Sequence, residues 1–146
     1  MQRIVSKLIL WSLASVVCPF YALGQNPCPV AVGPNVSNAE MRECYTREQA
    51  RINKEADALA IHIAATLRKD AKEKDNGPVV SNLLLKAALE VMNSQATWRA
   101  YRDKHCRAVM YYYTTGSGAG TAYEECLFDL GTSRVKDLHR DFEGSE

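Results

Sequence analysis

The stretch SQATWRAYRDKHC, residues 94–106, places polar side chains where a helix of this sequence would face its core. Four of its residues recur at steps of three or four and so share one helical face: Gln95, Trp98, Arg102 and Cys106. Apolar residues continue the same face upstream: Leu84, Ala88 and Val91. Because an unpaired charge in a protein interior is very costly, a buried arginine needs a partner. The stretch therefore predicts a polar network inside a helical core.

Partners for this network are expected on two other helices. Asp57 and Asp129 are candidate carboxylate partners for Arg102, because they lie on the first and third predicted helices. Arg134 repeats the same anomaly, since it falls on the helical stripe that carries Cys126. We predict a structural network that holds three helices in register, with the Trp98 ring in the core; its members are Gln95, Trp98, Arg102, Asp57 and Arg134.

Three helices are predicted along the chain. The first begins at a capping box in residues 37–40 and ends at the Asp-Asn-Gly-Pro sequence of residues 75–78. The second runs from about residue 80 to residue 113, without proline. After a glycine-rich segment, the third runs from about Thr121 to about Phe142 and begins at a second capping box, formed by Thr121 and Glu124.

The predicted fold class is all-α, a small three-helix domain with long antiparallel helices. No segment alternates between apolar and polar residues in the way a strand does, and no repeat is present. Gly131 lies inside the third predicted helix, where glycine costs about 1 kcal/mol relative to alanine.

Residues 1–24 are typical of a secretory signal peptide. Arg3 and Lys7 precede an apolar stretch that ends in small residues, and cleavage is expected after Gly24. A membrane anchor is disfavoured, because the apolar run is short and interrupted by Pro19. Residues 25–146 are therefore expected to form one periplasmic or secreted domain with no membrane span.

Four cysteines remain after the expected cleavage: Cys28, Cys44, Cys106 and Cys126. An even number in an exported chain predicts two disulfides. Three pairings are possible, and the sequence alone does not choose among them. If neighbours pair, each bridge closes a loop of under about 25 residues and stabilises the fold by roughly 3 kcal/mol.

Charge and side-chain spacing argue against several function classes. Without residues 1–24 the net charge is about −1, too balanced to indicate nucleic acid or an anionic membrane as partner. His105 adjoins Cys106, but adjacent residues on a helix point about 100° apart, so no catalytic pair is predicted. The three histidines lack the short spacing of metal ligands. We expect no catalytic residue, no metal and no cofactor.

A partner protein is instead expected at one end of the second helix. The sequence YYY at residues 111–113 spreads its rings around the helix, so at least one ring is exposed. The glycine-rich segment that follows suits insertion into a partner's cleft. Tyrosines are favoured in protein interfaces. The candidate contact residues are Tyr111, Tyr112, Thr114, Thr115 and Ser117.

Three blocks resemble the lysozyme inhibitor LprI-like N-terminal domain family, which consists of small exported bacterial helical domains. Residues 40–44, Glu-Met-Arg-Glu-Cys, are similar to the family's opening block, with Cys28 as the preceding cysteine. The block Gln-x-x-Trp-x-x-Tyr-Arg-Asp-x-x-Cys at residues 95–106 matches throughout. The closing block comprises Gly116, Ser117, Cys126, Thr132, Arg134 and Leu138. The chain departs from the family near Asp57, where an expected asparagine and tyrosine are missing.

The resemblance implies an exported binding protein that blocks a lysozyme or another peptidoglycan hydrolase. A periplasmic protein-interaction or immunity module without activity against lysozyme is the alternative. An inhibitor of a cationic lysozyme gains association rate from an acidic surface, and a net charge near −1 offers little of one.

Overall fold

Three helices build the protein, as described by a computed structural model for residues 27–28, 36–73, 77–113, 116 and 118–142. They are α1 (Asn38–Asp70), α2 (Pro78–Tyr112) and α3 (Ala119–Phe142). Helix α2 runs antiparallel to both others, and no strand occurs in the described ranges. The predicted all-α, three-helix fold is confirmed.

The first two helices begin as the sequence predicts. The Glu40 backbone N–H donates to Ser37 Oγ (3.2 Å), and the Ser37 N–H donates to the Glu40 carboxylate (2.9 Å). These bonds form the expected capping box. The Ser37 N–H, and then the Ser37 hydroxyl, which also donates to the carboxylate (2.9 Å), lower the pKa of Glu40. Helix α1 ends at Asp70, earlier than expected. Pro78 occupies the first position of α2, where its missing N–H costs no hydrogen bond.

The start of α3 corrects one expectation. The helix begins at Ala119, so Thr121 already lies inside its first turn and is not the N-cap residue of a second capping box. Its hydroxyl donates instead to the Asn38 carbonyl oxygen (3.1 Å). This bond joins the beginnings of α1 and α3, which run parallel.

The core consists of two clusters along α1. Near the beginning of α1 the cluster comprises Cys28, Tyr45, Ile52, Ala56, Phe128 and Val135. Farther along α1 the second cluster comprises Ala60, Ile63, Ala64, Ala88, Val91 and Leu138. Many of these residues are alanines, whose small side chains allow the helix axes to approach closely. The apolar area that the core buries therefore depends on how closely the helix backbones pack.

Gly131 lies where α3 packs closely against α1. A Cβ atom at this position would lie 2.8 Å from Ile52 Cγ2 and 3.0 Å from Asn53 Oδ1. Both neighbours belong to the packed α1 face, so neither moves away easily. The glycine that weakens α3 as an isolated helix is therefore required by its packing.

Two disulfides connect neighbouring cysteines. Cys28 is bonded to Cys44, with 5.8 Å between their Cα atoms, and Cys106 to Cys126, with 5.5 Å. The prediction of two disulfides is confirmed, and the structure decides the pairing that the sequence left open. The first bridge ties the chain before α1 to that helix, and the second joins α2 to α3.

The expected signal peptide, residues 1–24, lies outside the described residues. Among the helices of the described part, none combines the length and the apolar character needed to cross a bilayer.

Gly131→Ala is expected to lower the free energy of unfolding by about 1–2 kcal/mol, although alanine is the better helix former. Urea denaturation of the oxidised protein measures this change. Gly120→Ala is the matched control in α3, because the added methyl meets only the exposed Arg42 side chain, which can move aside. Equal stabilisation by both substitutions would contradict a close contact at Gly131.

Candidate functional site

One side-chain amide connects the three helices. Gln95 on α2 is only 2% exposed. Its Nε2 donates to Asp57 Oδ1 on α1 (2.9 Å), and its Oε1 accepts from Arg134 Nε on α3 (2.9 Å). Since the amide uses a donor and an acceptor at once, its orientation is set by partners on both sides.

Each charged partner of Gln95 has a further bond near the surface. Arg134 Nη2 donates to Ser94 Oγ (3.0 Å). Asp57 forms an ion pair with Arg99, whose Nη2 lies 2.6 Å from Asp57 Oδ1. The structure therefore brings Gln95, Asp57 and Arg134 together, and it adds Ser94 and Arg99, which the sequence reasoning missed.

Arg102 has a different partner from either one expected. Its Nη1 donates to Asn53 Oδ1 on α1 (2.6 Å), not to Asp57 or Asp129. Because the two helices are antiparallel, moving toward the C-terminus of α2 means moving toward the N-terminus of α1. Arg102 lies two turns beyond Gln95, and its long side chain reaches Asn53, which lies one turn before Asp57.

Two neighbours on α2 complete the surroundings of Arg102. Its Nε and Nη2 donate to Asp103 Oδ1 at 2.8 and 2.6 Å. The guanidinium carbon lies 5.1 Å from the centroid of the half-buried Trp98 ring, which is a cation–π distance. The Arg102 side chain keeps only 15% of its exposure, so these contacts replace most of its water.

A signal for Asn53 is present in the sequence. Gln49, Asn53 and Asp57 are spaced by four residues and form a polar stripe on α1. Asn53 Nδ2 donates to Gln49 Oε1 (2.9 Å), which leaves its carbonyl oxygen directed at Arg102. A search for this stripe, rather than for carboxylates alone, would have found it.

Asp129 lies on the exposed side of α3. Partial burial, with a smaller contribution from the negative charge of Glu125, raises the pKa of Asp129. Glu125 itself accepts a hydrogen bond from the Tyr45 hydroxyl (3.0 Å). Glu125 therefore belongs to the α1–α3 contact, and no hydrogen bond described here joins Asp129 to the network around Gln95.

The predicted partner-contact residues lie at the end of α2. Tyr111 and Tyr112 are 62% and 83% exposed. Thr114, Thr115 and Ser117 lie outside the described residues. Along the chain, these residues lie between Cys106 and Cys126, which are bonded to each other.

Two pockets on the described surface contain no predicted site residue. One, of about 490 Å³, is lined by Ala39, Arg42, Glu43, Thr46 and Arg47. The other, of about 170 Å³, is lined by His62, Ile63, Thr66, Leu67, Asp70 and Phe142. Within the described ranges, no three side chains of metal-binding type come together. The two prominent features of the described residues are therefore the polar network around Gln95 and the exposed tyrosines at the end of α2.

Arg102→Ala is expected to lower the free energy of unfolding by about 2–3 kcal/mol, because the half-buried Asn53 loses its hydrogen-bond donor and Trp98 loses the guanidinium packed against it. Arg99→Ala, which removes a side chain that is 48% exposed, should cost under about 1 kcal/mol. Chemical denaturation of both variants makes the comparison. Equal losses would show that burial does not distinguish the two arginines.

Comparison with known proteins yields one match. The family model described as lysozyme inhibitor LprI matches residues 29–138. Neither the curated proteins nor the solved structures gave a match. Because the matched range covers most of the chain, the protein belongs to the LprI lysozyme inhibitor family.

Proposed function

We propose that this member of the LprI family is an exported protein that binds and blocks a lysozyme or another peptidoglycan hydrolase. The observation that carries the proposal is the family match over residues 29–138, which include α1, α2, most of α3 and the cysteines Cys44, Cys106 and Cys126. The proposed activity is binding and needs no catalytic group. A rigid helical scaffold with exposed aromatic residues suits that role.

The proposed contact surface is the end of α2 with the segment that follows. Tyr111 and Tyr112 present large rings to solvent, and tyrosine is enriched among residues that dominate binding energy. We place Thr114, Thr115 and Ser117 in the same contact. The Cys106–Cys126 bridge restricts this segment before binding, which reduces the entropy that binding must remove.

The polar network supports this surface from within the molecule. Gln95 and Arg102 lie on the same helix as the tyrosines and connect it to α1 and α3. We assign the network a structural role: it fixes the register of α2, so that the tyrosines are presented in one orientation.

Export is supported by the cysteine chemistry. The structure contains two disulfides, Cys28–Cys44 and Cys106–Cys126, and disulfides persist in an oxidising compartment. We therefore propose the periplasm or the extracellular medium as location, with residues 1–24 as the cleaved signal.

The proposal predicts that the oxidised protein, expressed from the full chain, slows lysis of bacterial cell walls by at least one lysozyme class. Tyr111→Ser combined with Tyr112→Ser should weaken inhibition by at least about 30-fold. This change corresponds to a loss of about 2 kcal/mol in binding free energy, which is typical of an interface tyrosine that dominates binding. Leu83→Ser, at an exposed position on the other half of α2, is the control and should inhibit like the parent.

Circular dichroism of each variant shows whether the helices are retained. If the folded parent slows lysis by none of several lysozyme classes, the proposal is wrong. The protein-interaction or immunity module then becomes the better assignment. If the tyrosine variant inhibits like the parent, the inhibitory surface lies elsewhere.

A further inference from the structure

A strip of exposed aliphatic side chains runs along the edge where α1 and α2 meet. Leu85 and Leu89 lie one turn apart on α2 and are 47% and 55% exposed, and Ile61 on α1 is 56% exposed. We call these three residues the apolar edge. Exposed apolar patches that are bordered by polar residues mark interaction sites of soluble proteins. The apolar edge is therefore a candidate interaction surface.

Helical spacing places both leucines on the side of α2 that faces α1. Met92 follows Leu89 by three residues, and Arg99 follows Met92 by seven, so the three lie on one side of the helix. Met92 packs against the core cluster farther along α1, and Arg99 Nε donates to Asp57 Oδ1 on α1 (2.8 Å). Ile61 follows Asp57 by one turn, so it borders the same groove between the two helices.

Two opposite charges border the apolar edge. Lys86 and Glu90 are exposed on α2, and each directly follows one of the two leucines. Neither side chain forms an ion pair or a hydrogen bond within the part of the chain that the structure describes. A lysine four residues before a glutamate is also the weaker order for a pair within one helix. Both charges are therefore available to a partner.

The pattern of these four residues is complementary to itself. Reversing α2 about residues 87–88 places Leu85 opposite Leu89 and Lys86 opposite Glu90, as a two-fold interface requires. A parallel pairing would place like charges opposite each other. The net charge of about −1 for residues 25–146 adds little repulsion between two copies. Charge and apolar spacing therefore both favour a second, antiparallel copy as the occupant.

We propose that a second copy of this chain covers the apolar edge, in a two-fold dimer whose two α2 helices pack antiparallel. Leu85 of each copy contacts Leu89 of the other, and Ile61 extends the apolar contact onto α1. Lys86 of each copy pairs with Glu90 of the other, which gives two ion pairs at the rim. An apolar centre with a polar rim is the usual composition of a protein interface.

The size of the surface sets the strength of the dimer. Residues 82–96 of α2 extend over about 21 Å, and two neighbouring helices are about 20 Å wide, from helical rise and diameter. Such a face buries on the order of 1,000 Å² from both copies together, at the small end of specific interfaces. We therefore expect a reversible dimer with a dissociation constant of about 10–100 μM.

The dimer leaves the proposed hydrolase contact free. Tyr111 lies about 35 Å along α2 from the two-fold axis, so the tyrosine ends of the two copies are about 70 Å apart and point in opposite directions. If these ends bind hydrolases, as proposed above, the dimer is bivalent. Bivalence strengthens binding to hydrolases that are themselves held on a cell wall.

Sedimentation equilibrium of the oxidised protein, expressed from the full chain, tests for the dimer between about 5 and about 500 μM. Leu85→Ser combined with Leu89→Ser should raise the dissociation constant at least about tenfold, because the apolar centre of the contact is lost. Val80→Ser is the control. Val80 is 46% exposed and lies nine residues before Leu89, on the opposite side of α2, so its variant should dimerise like the parent.

Charge substitutions test the antiparallel pairing. Lys86→Glu and Glu90→Lys should each weaken self-association several-fold, because like charges then face each other across the axis. An equal mixture of these two variants should form a heterodimer at least as tight as the parental dimer. A mixture of Lys104→Glu with Glu43→Lys has the same net charges, but these exposed positions lie in the other half of the molecule, so it should show no such gain.

Four results would overturn the proposal: a parent that stays monomeric at about 500 μM, an assembly larger than a dimer, parental dimerisation of the double leucine variant, or no gain on mixing the two charge variants. Circular dichroism checks that the variants are folded. If the leucine variant unfolds, the charge variants decide, because their side chains make no contact that folding needs. Lysozyme inhibition per chain should be unchanged in all of them, so loss of the dimer is distinguishable from failure of the proposed inhibition.

Discussion

The side-chain amide of Gln95 is the contact on which the arrangement of the three helices depends. It is buried, and it satisfies Asp57 on α1 and Arg134 on α3 at once. The small alanine side chains of the core make its apolar contacts less specific for one register than hydrogen bonds are. A two-sided hydrogen bond does not tolerate a change of register, because a shift would leave an amide and two charged groups without partners. The network thus adds hydrogen bonds that are satisfied only in this register to the close packing at Gly131.

The same register places the exposed features of the molecule. Arg102 lies two turns beyond Gln95 on α2 and meets Asn53, and Cys106 of the Cys106–Cys126 bridge lies one turn farther along. Beyond the bridge, α2 continues to the tyrosines. The end of α2 is thus anchored by hydrogen bonds and a covalent bond in succession, while its outer face stays exposed. Such a division suits a protein that acts by presenting a fixed surface.

The sequence allowed the helices, the buried face of α2 and the number of disulfides to be predicted, because these follow from local spacing and composition. It did not identify Asn53 as the partner of Arg102, since that choice depends on how two helices align and not on either helix alone. The role of Gly131 was missed for a related reason: its cost is local, whereas its benefit arises from contact with Ile52. The early start of α3 shows a similar limit, because Thr121 bonds across to Asn38 instead of capping its own helix.

The most direct test of the central claim is a double-mutant cycle between Asp57→Ala and Arg134→Ala, measured by chemical denaturation in the parent and in Gln95→Leu. If Gln95 joins the helices, the two residues should show a coupling free energy of at least about 0.5 kcal/mol in the parent. That coupling should fall to the additive range in Gln95→Leu, where only long-range attraction between the charges remains. Additive effects in the parent, or the same coupling in both backgrounds, would contradict the claim that Gln95 sets the register.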